Sequence, residues 1–199
     1  MTSSRVLTFS HPSAGPPARE VRGSSGGIGR RSSEAAERVS DDLRRGHSEH
    51  LTRRRRQTAL VLGATAAMGV ISLYQTGILR RLPDPPLPGV ASEEVDASGE
   101  AYVFGHTPDA TLSIANYGVT LALIGMGGAD RWREHPVIPL VATAKLTADA
   151  AGAAVLTLEQ VTKHKALCTY CLAAAVASLA ALRQATPEAR VAWSELRSD

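Results

Sequence analysis

The sequence predicts an all-α membrane protein, an antiparallel bundle of four transmembrane helices behind a disordered N-terminal tail. Four long segments of the 199-residue chain are nearly free of charge, and the charged residues cluster between them. The aromatic content of 4% is also low for the core of a soluble domain. A soluble four-helix bundle is the alternative, but helices that face water need a charged stripe, and none of the four segments has one.

Residues 1–56 are predicted to form the tail. They contain 12 arginines and 6 acidic residues, and they are rich in Ser, Gly and Pro. Because they have few large apolar side chains, they cannot bury enough surface to offset the entropy of ordering, beyond a transient helix over SSEAAERVSDDLRR. The acidic residues argue against an organelle transit peptide, and the first apolar run begins too late for a secretory signal.

Four apolar runs follow, over residues 57–79, 110–129, 136–158 and 166–182. The first has 23 uncharged residues, which at about 1.5 Å per residue crosses a hydrocarbon core of roughly 30 Å. Asn116 and several glycines in the second run indicate a helix that packs against others. In the third, Lys145 and Asp149 share a helix face and can pair, and a polar patch that contacts a head group or carries protons is the alternative. The transmembrane domain would cover residues 57–183, and a short C-terminal tail residues 184–199.

Lysine and arginine near the span ends predict the orientation. With the N-terminus in the cytoplasm, eleven such residues lie on the cytoplasmic side and four on the outer side. We therefore expect a multi-pass protein of the cell membrane with both termini in the cytoplasm. The cysteines and the long loop, defined as residues 80–109, would face outward. Four prolines between Pro83 and Pro88 stiffen the loop, which would either cover the mouth of the bundle or act as a linker.

Cys168 and Cys171 are the two cysteines of the chain, spaced C-x-x-C where the fourth apolar run begins. On a helix they would share one face, close enough for a disulfide. The helix N-terminus and the basic residues 163–165 would favour a thiolate. A zinc site needs two further ligands, and since the histidines are scattered, no metal is expected. Two small residues that pack between helices are the remaining alternative.

With this order of spans, LCTYCL resembles the redox motif of the vitamin K epoxide reductase family. TPDATLSIANYGVTLALIG is similar to the family's second span, which has a tyrosine near a quinone pocket. The resemblance covers residues 57–183. It implies an integral membrane thiol–disulfide oxidoreductase that passes electrons from a dithiol to a quinone, either ubiquinone or menaquinone. Its partner would be a thioredoxin-like or other dithiol protein.

The resemblance also implies roles for individual residues. Cys171 would face the quinone and react with it, and Cys168 would exchange with the incoming thiol. Asp109 would take the place of an asparagine that hydrogen-bonds the quinone carbonyl in the family. Independently of the resemblance, the polar side chains of Asn116 and Tyr117 in the second apolar run would either make a helix contact or hydrogen-bond a ligand carbonyl.

The long loop departs from the family pattern. The family has a second cysteine pair in this loop, which relays electrons, whereas residues 80–109 contain no cysteine. A dithiol of another protein would therefore have to reach Cys168 directly, and this requires the loop to leave Cys168 uncovered or to move. The second hypothesis is a non-catalytic membrane bundle whose basic tail acts on anionic lipid of the bilayer or on a cytoplasmic partner. Nucleic acid is not expected as a partner.

Overall fold

The computed structural model describes residues 34–103 and 105–198, and most of these residues are helical. The predicted disorder of residues 1–33 lies outside the described part. The chain divides into a unit Met1–Glu37 and a unit Arg38–Asp199, and the description below concerns the second unit. The elements are α1 (Glu34–Arg45), α2 (Glu49–Gln75), α3 (Ser92–Asp96), a 3-10 turn (Gly99–Ala101), β1 (Tyr102–Val103), β2 (Thr107–Pro108), α4 (Asp109–Gly125), α5 (Arg131–Glu134), α6 (Val137–Glu159), a π-helical turn (Gln160–His164) and α7 (Thr169–Ser198).

Four long helices form the body of the unit, and each contains most of one predicted apolar run. Helix α7 packs against α2 and α6, α2 packs against α4, and α4 also contacts α6. The side chains buried between them are mostly aliphatic, and α7 contributes the small residues Ala174, Ala181 and Ala185. Small residues let helix backbones approach closely, so this alanine-rich helix can contact two neighbours along its length.

Two of the described helices are long and apolar enough to cross a membrane, Glu49–Gln75 and the continuous helix Val137–His164. Only 28% and 22% of their apolar windows are buried, so most of this surface faces outward. A helix in the core of a soluble protein would instead be mostly buried. Leu62, Val155 and Leu158 each expose more than half of their surface. The structure therefore has candidate spans where the sequence predicts the first and third.

The segment that precedes the first predicted span is helical, which differs from the disorder expected for residues 1–56. Helix α1 coincides with the transient helix predicted there, and α2 begins at Glu49 rather than at residue 57. The Ser48 hydroxyl caps α2 by accepting the Leu51 N–H at 3.2 Å, and Glu49 pairs with Arg53 one turn later at 2.8 Å. Such caps and pairs stabilise helices without apolar burial, so composition alone does not reveal them.

At the end of the bundle opposite the cysteines, two of the arginines that predicted the orientation are buried. Arg54 and Arg131 are 5% and 1% exposed. The Arg54 guanidinium donates to the carbonyls of residues 124–128, and Arg131 donates to those of residues 123, 124 and 126. These carbonyls lie at the C-terminal end of α4 and just beyond it, where a helix has no further N–H groups to offer. Both arginines therefore cap α4.

The last helix does not end near residue 182 but continues through Pro187 to Ser198. Its extension is held by a buried ion pair in which Arg131 donates to both oxygens of Glu188 at 2.8 Å. Ala185, Ala189 and Ala192 are also buried along this part of the helix. The predicted C-terminal tail is consequently a part of the bundle.

Candidate functional site at the cysteine pair

The cysteine pair lies at the beginning of α7. Cys168 directly precedes the helix, and Cys171 lies in its first turn. Both thiols are free, their sulfur atoms lie within 4.8 Å of each other, and the Cys171 N–H donates to the Cys168 sulfur at 3.2 Å. An amide donor at a helix N-terminus stabilises a thiolate there, so the geometry favours Cys168 as the ionised member of the pair.

The turn before α7 sets the position of Cys168. Helix α6 ends in a π-helical turn, and Lys165 then adopts a left-handed conformation with φ of 53°. The Gln160 side-chain oxygen accepts the Cys168 N–H at 3.0 Å. Leu167 donates to the Gly89 carbonyl at 2.8 Å and accepts from the Ala91 N–H at 3.1 Å. These backbone bonds join the long loop to the residues in front of the cysteines.

The long loop covers Cys168, whose exposed fraction is 0%. Asp84 accepts hydrogen bonds from the Ser92 N–H at 2.7 Å, from the Ser92 hydroxyl at 2.6 Å and from the Thr169 hydroxyl at 2.9 Å. Burial acts to raise the pKa of Asp84, but the bonds from Ser92 and Thr169 outweigh it, and this pKa lies below its usual value. An ionised Asp84 therefore ties the loop to the start of α7, and the loop is a cover rather than a linker.

Asp96 is a second loop carboxyl, and it lies next to both sulfur atoms. It is 2% exposed, and the Cys171 thiol donates to its Oδ1 at 3.8 Å. Burial raises the pKa of Asp96 to about 9, with a further contribution from neighbouring Cys168. The carboxyl and the two sulfurs lie within 4.8 Å of one another. The cluster is thus a pair of thiols with a carboxyl group beside it, and the described residues add no fourth ligand of the kind that a structural zinc site uses.

A cavity of about 310 Å³ lies between the helices of the bundle, next to the second cysteine, and it opens to the surface where Asn116 and Leu156 are exposed. All four long helices contribute to its wall, which includes the Cys171 side chain. Its apolar lining includes Met68, Leu156 and Ala174, and its polar lining includes Asn116, Tyr117, Lys145 and Asp149. A thiol and several polar groups therefore border one apolar space.

The predicted pair of Lys145 and Asp149 is confirmed as an ion pair across one turn of α6. Asp149 also accepts from the Asn116 amide at 2.8 Å and from the Thr120 hydroxyl at 2.6 Å. The pair is thus neutralised within the bundle while both of its members line the cavity. The Tyr117 hydroxyl shares a hydrogen bond of 3.1 Å with Ser178 across to α7.

The structure brings together only some of the residues predicted for the site. Cys171, Asn116 and Tyr117 line the cavity, whereas Cys168 is buried under the loop and Asp109 is not among the lining residues. Asp109 instead accepts from the Gln75 amide at 2.7 Å at the start of α4.

Sequence reasoning missed Asp84, Ser92 and Asp96, the loop residues around the cysteines. Their partners in α7 are 75 to 85 residues away along the chain, and no local pattern reports such contacts. The one available signal was the density of acidic residues in the loop, which include Asp84 and Asp96.

One family model matches the chain. It describes the vitamin K epoxide reductase family and matches residues 56–186, well over half of the chain. No curated protein matches. The matched range contains both cysteines, the long loop and every residue that lines the cavity. The resemblance noted in the sequence is thereby confirmed, and the chain belongs to the vitamin K epoxide reductase family.

Proposed function

We propose that the chain is an integral membrane thiol–disulfide oxidoreductase in which Cys168 and Cys171 give electrons to a quinone. Family membership and the two apolar helices indicate a membrane oxidoreductase. The cavity carries the finer proposal, because Cys171 lines it and the Cys168 sulfur lies within 4.8 Å of the Cys171 sulfur. Cys171 thus borders the cavity, while Cys168 is buried beneath the long loop.

The lining of the cavity suits a quinone ring. A volume of about 310 Å³ lies at the lower end of the range that small-molecule sites occupy. Met68, Leu156 and Ala174 offer apolar contacts to the ring. Asn116 and Lys145 each have an N–H left to donate to a carbonyl oxygen, whereas the Tyr117 hydroxyl donates to Ser178. Ubiquinone and menaquinone both present these features.

The chemistry of the pair balances without a further reactant. When an S–S bond forms between Cys168 and Cys171, the site loses two electrons and two protons, and these reduce the quinone to the quinol. A dithiol of a thioredoxin-like partner then attacks the disulfide, and the partner becomes oxidised as the pair regains its electrons and protons. Since Cys168 is 0% exposed, the long loop has to open for this second step.

The membrane arrangement is part of the proposal. All four long helices would cross the bilayer, with α4 and α7 completing the bundle around the two apolar helices. The eleven basic residues on one side favour both termini in the cytoplasm. The cysteines then lie at the outer face, where a partner dithiol and a membrane quinone can both reach them.

Substitution of the cysteines tests this function. In membrane vesicles supplied with a reduced dithiol protein and a quinone, we expect Cys171→Ala and Cys168→Ala each to lower quinone reduction at least a hundredfold. Ser194→Ala, an exposed position on the same helix, serves as the control. Full activity in Cys171→Ala would contradict the proposal. It would favour the non-catalytic alternative, under which deletion of residues 1–47, which leaves α2 and its Ser48 cap in place, has the larger effect.

A further inference from the structure

We infer that Asp96 is a catalytic residue that holds the second proton of the reduced cysteine pair and releases it when the pair is oxidised. This inference rests on the proposed function, because it concerns the same thiols. Asp96 lies in α3, within the long loop, and it contacts the reacting sulfur atoms across more than seventy residues of sequence.

The first support is the position of the carboxyl. Its Oδ1 lies 3.8 Å from the Cys171 sulfur, which donates to it, and the carboxyl also lies within 4.8 Å of the Cys168 sulfur. Asp96 is 2% exposed. The second oxygen, Oδ2, is buried and has no hydrogen-bond partner among the residues that the structure describes. A buried carboxylate with one weak thiol donor on Oδ1 and no partner on Oδ2 is costly, so this geometry favours the protonated form.

Asp84, in the same loop, shows the opposite arrangement. It accepts three hydrogen bonds from Ser92 and Thr169 and is only partly buried, which suits a carboxylate. The two carboxyl groups near the cysteines are thus built for different protonation states. The surroundings of Asp84 favour an ionised carboxylate that holds the loop in place. The surroundings of Asp96 favour a protonated carboxyl group.

The groups that face Asp96 reinforce its neutral form. They are Tyr74 of α2, Asp109 at the start of α4, and the two cysteines. None of the four is a cation, and each bears a negative charge when it ionises. A thiolate at Cys168 is therefore favoured only while Asp96 keeps its proton. Burial is the largest cause of the raised pKa of Asp96 and the negative charge on Cys168 is the next, so loss of the thiolate on oxidation removes the second cause and draws this pKa down.

The proton balance follows from this coupling. The reduced site holds a Cys168 thiolate, a Cys171 thiol and a protonated Asp96. On oxidation the Cys171 S–H bond breaks and the S–S bond forms, and two electrons leave together with one proton from Cys171 and one from Asp96. The quinone takes up both electrons and both protons. On re-reduction the incoming dithiol supplies two electrons and two protons, and Asp96 recovers one of the protons.

The test counts protons in a reaction that contains no quinone. The full chain in detergent is equilibrated with a glutathione couple at a fixed ambient potential, and the ratio of dithiol to disulfide is measured by thiol alkylation and mass spectrometry between pH 7 and 8.5. Uptake of two protons with two electrons changes this ratio about a hundredfold per pH unit, and uptake of one proton changes it about tenfold. We expect a hundredfold dependence for the wild type and a tenfold dependence for Asp96→Asn.

Two further variants make the result specific. Asp96→Glu keeps a carboxyl group and should restore the hundredfold dependence. Glu94→Gln removes an exposed carboxyl from the same short helix and should leave that dependence unchanged.

A tenfold dependence in the wild type, or a hundredfold dependence that persists in Asp96→Asn, would overturn the inference. If Asp96→Asn does not fold, the pH dependence of Cys168 alkylation in the wild type decides. Ionisation of Cys168 below pH 7 together with a hundredfold dependence places the second proton on another group and supports the inference, and ionisation of Cys168 only above pH 8.5 overturns it. A hundredfold dependence in a protein that does not reduce quinone would overturn the proposed function and leave the role of Asp96 intact.

Discussion

At the scale of single residues, the environment of each side chain separates groups that look alike in the sequence. Asp84 and Asp96 lie twelve positions apart in one acidic loop. Asp84 accepts three hydrogen bonds, so its pKa lies below the usual value. Asp96 has an unpartnered oxygen among the described residues, and burial raises its pKa to about 9. Only the contacts made by the folded loop decide which carboxyl carries a charge.

Ser92 is the loop residue that faces the first cysteine. Ser92 is 0% exposed, its hydroxyl accepts the Thr169 N–H at 3.0 Å, and it lies beside the Cys168 side chain. A cysteine at this position would therefore lie within disulfide distance of Cys168. Ser92 thus marks the place from which a loop thiol would relay electrons to the pair.

Replacing Ser92 by cysteine tests this placement. In the double variant Ser92→Cys/Cys171→Ala, we expect more than half of the molecules to form a disulfide between positions 92 and 168 under mild oxidation. Peptide mapping by mass spectrometry under non-reducing conditions detects the link. Ser98→Cys in the same Cys171→Ala background is the control and should remain unlinked. Equal linkage in both variants would contradict the described position of the loop.

At the scale of elements, the long loop and the start of α7 behave as one closed unit. The Asp84 carboxylate joins the two through Ser92 and Thr169, and the backbone bonds of Leu167 add a second attachment. A hydrogen bond to a charged group contributes about 1.5 to 3 kcal/mol. Loss of Asp84 should therefore shift the loop towards its open form by roughly tenfold to a hundredfold.

The loop prediction is tested by alkylation. We expect Asp84→Ala to increase the rate at which a maleimide modifies Cys168 by about tenfold to a hundredfold, because modification requires the open loop. Glu94→Ala, which removes an exposed carboxyl of the same loop, should have no such effect. If Asp84→Ala and the wild type react at the same rate, then Asp84 does not hold the loop closed.

The opposite end of the bundle depends on the buried pair of Arg131 and Glu188. Their side chains are 1% and 3% exposed. Removal of one partner leaves an uncompensated buried charge, which costs about 3 to 5 kcal/mol. We expect Arg131→Ala to lower the thermal midpoint in detergent strongly, whereas Arg133→Ala, an exposed position on the same short helix, should leave it within experimental error. Equal midpoints for the two variants would show that the pair does not stabilise α5 against α7.

At the scale of the whole molecule, the sequence predicted the four long helices because apolar runs as long as these four form few structures other than a helix. It also predicted that the cysteines lie where the last helix begins, and the pairing of Lys145 with Asp149 followed from their spacing on α6. These features are local, since each depends on residues within a few turns of one another. The family resemblance rested on the order of these local features along the chain.

What the sequence did not predict depends on contacts between distant segments. Arg54 and Arg131 occur among basic residues that suit a membrane boundary, and nothing nearby shows that they turn inward to cap α4. Ser92 and Asp96 occur in a polar loop, and their burial arises only when the loop folds onto α7. The continuation of α7 past Pro187 likewise depends on Arg131, which is 57 residues away from Glu188.

The central claim is that Cys168 and Cys171 pass electrons to a quinone within the bundle. The most direct measurement is the redox state of the two cysteines in native membranes, determined by thiol trapping after incubation with and without added quinone. We expect a reduced pair when quinone is depleted and an oxidised pair within one incubation after quinone is restored. A pair that stays reduced in the presence of excess quinone would contradict it.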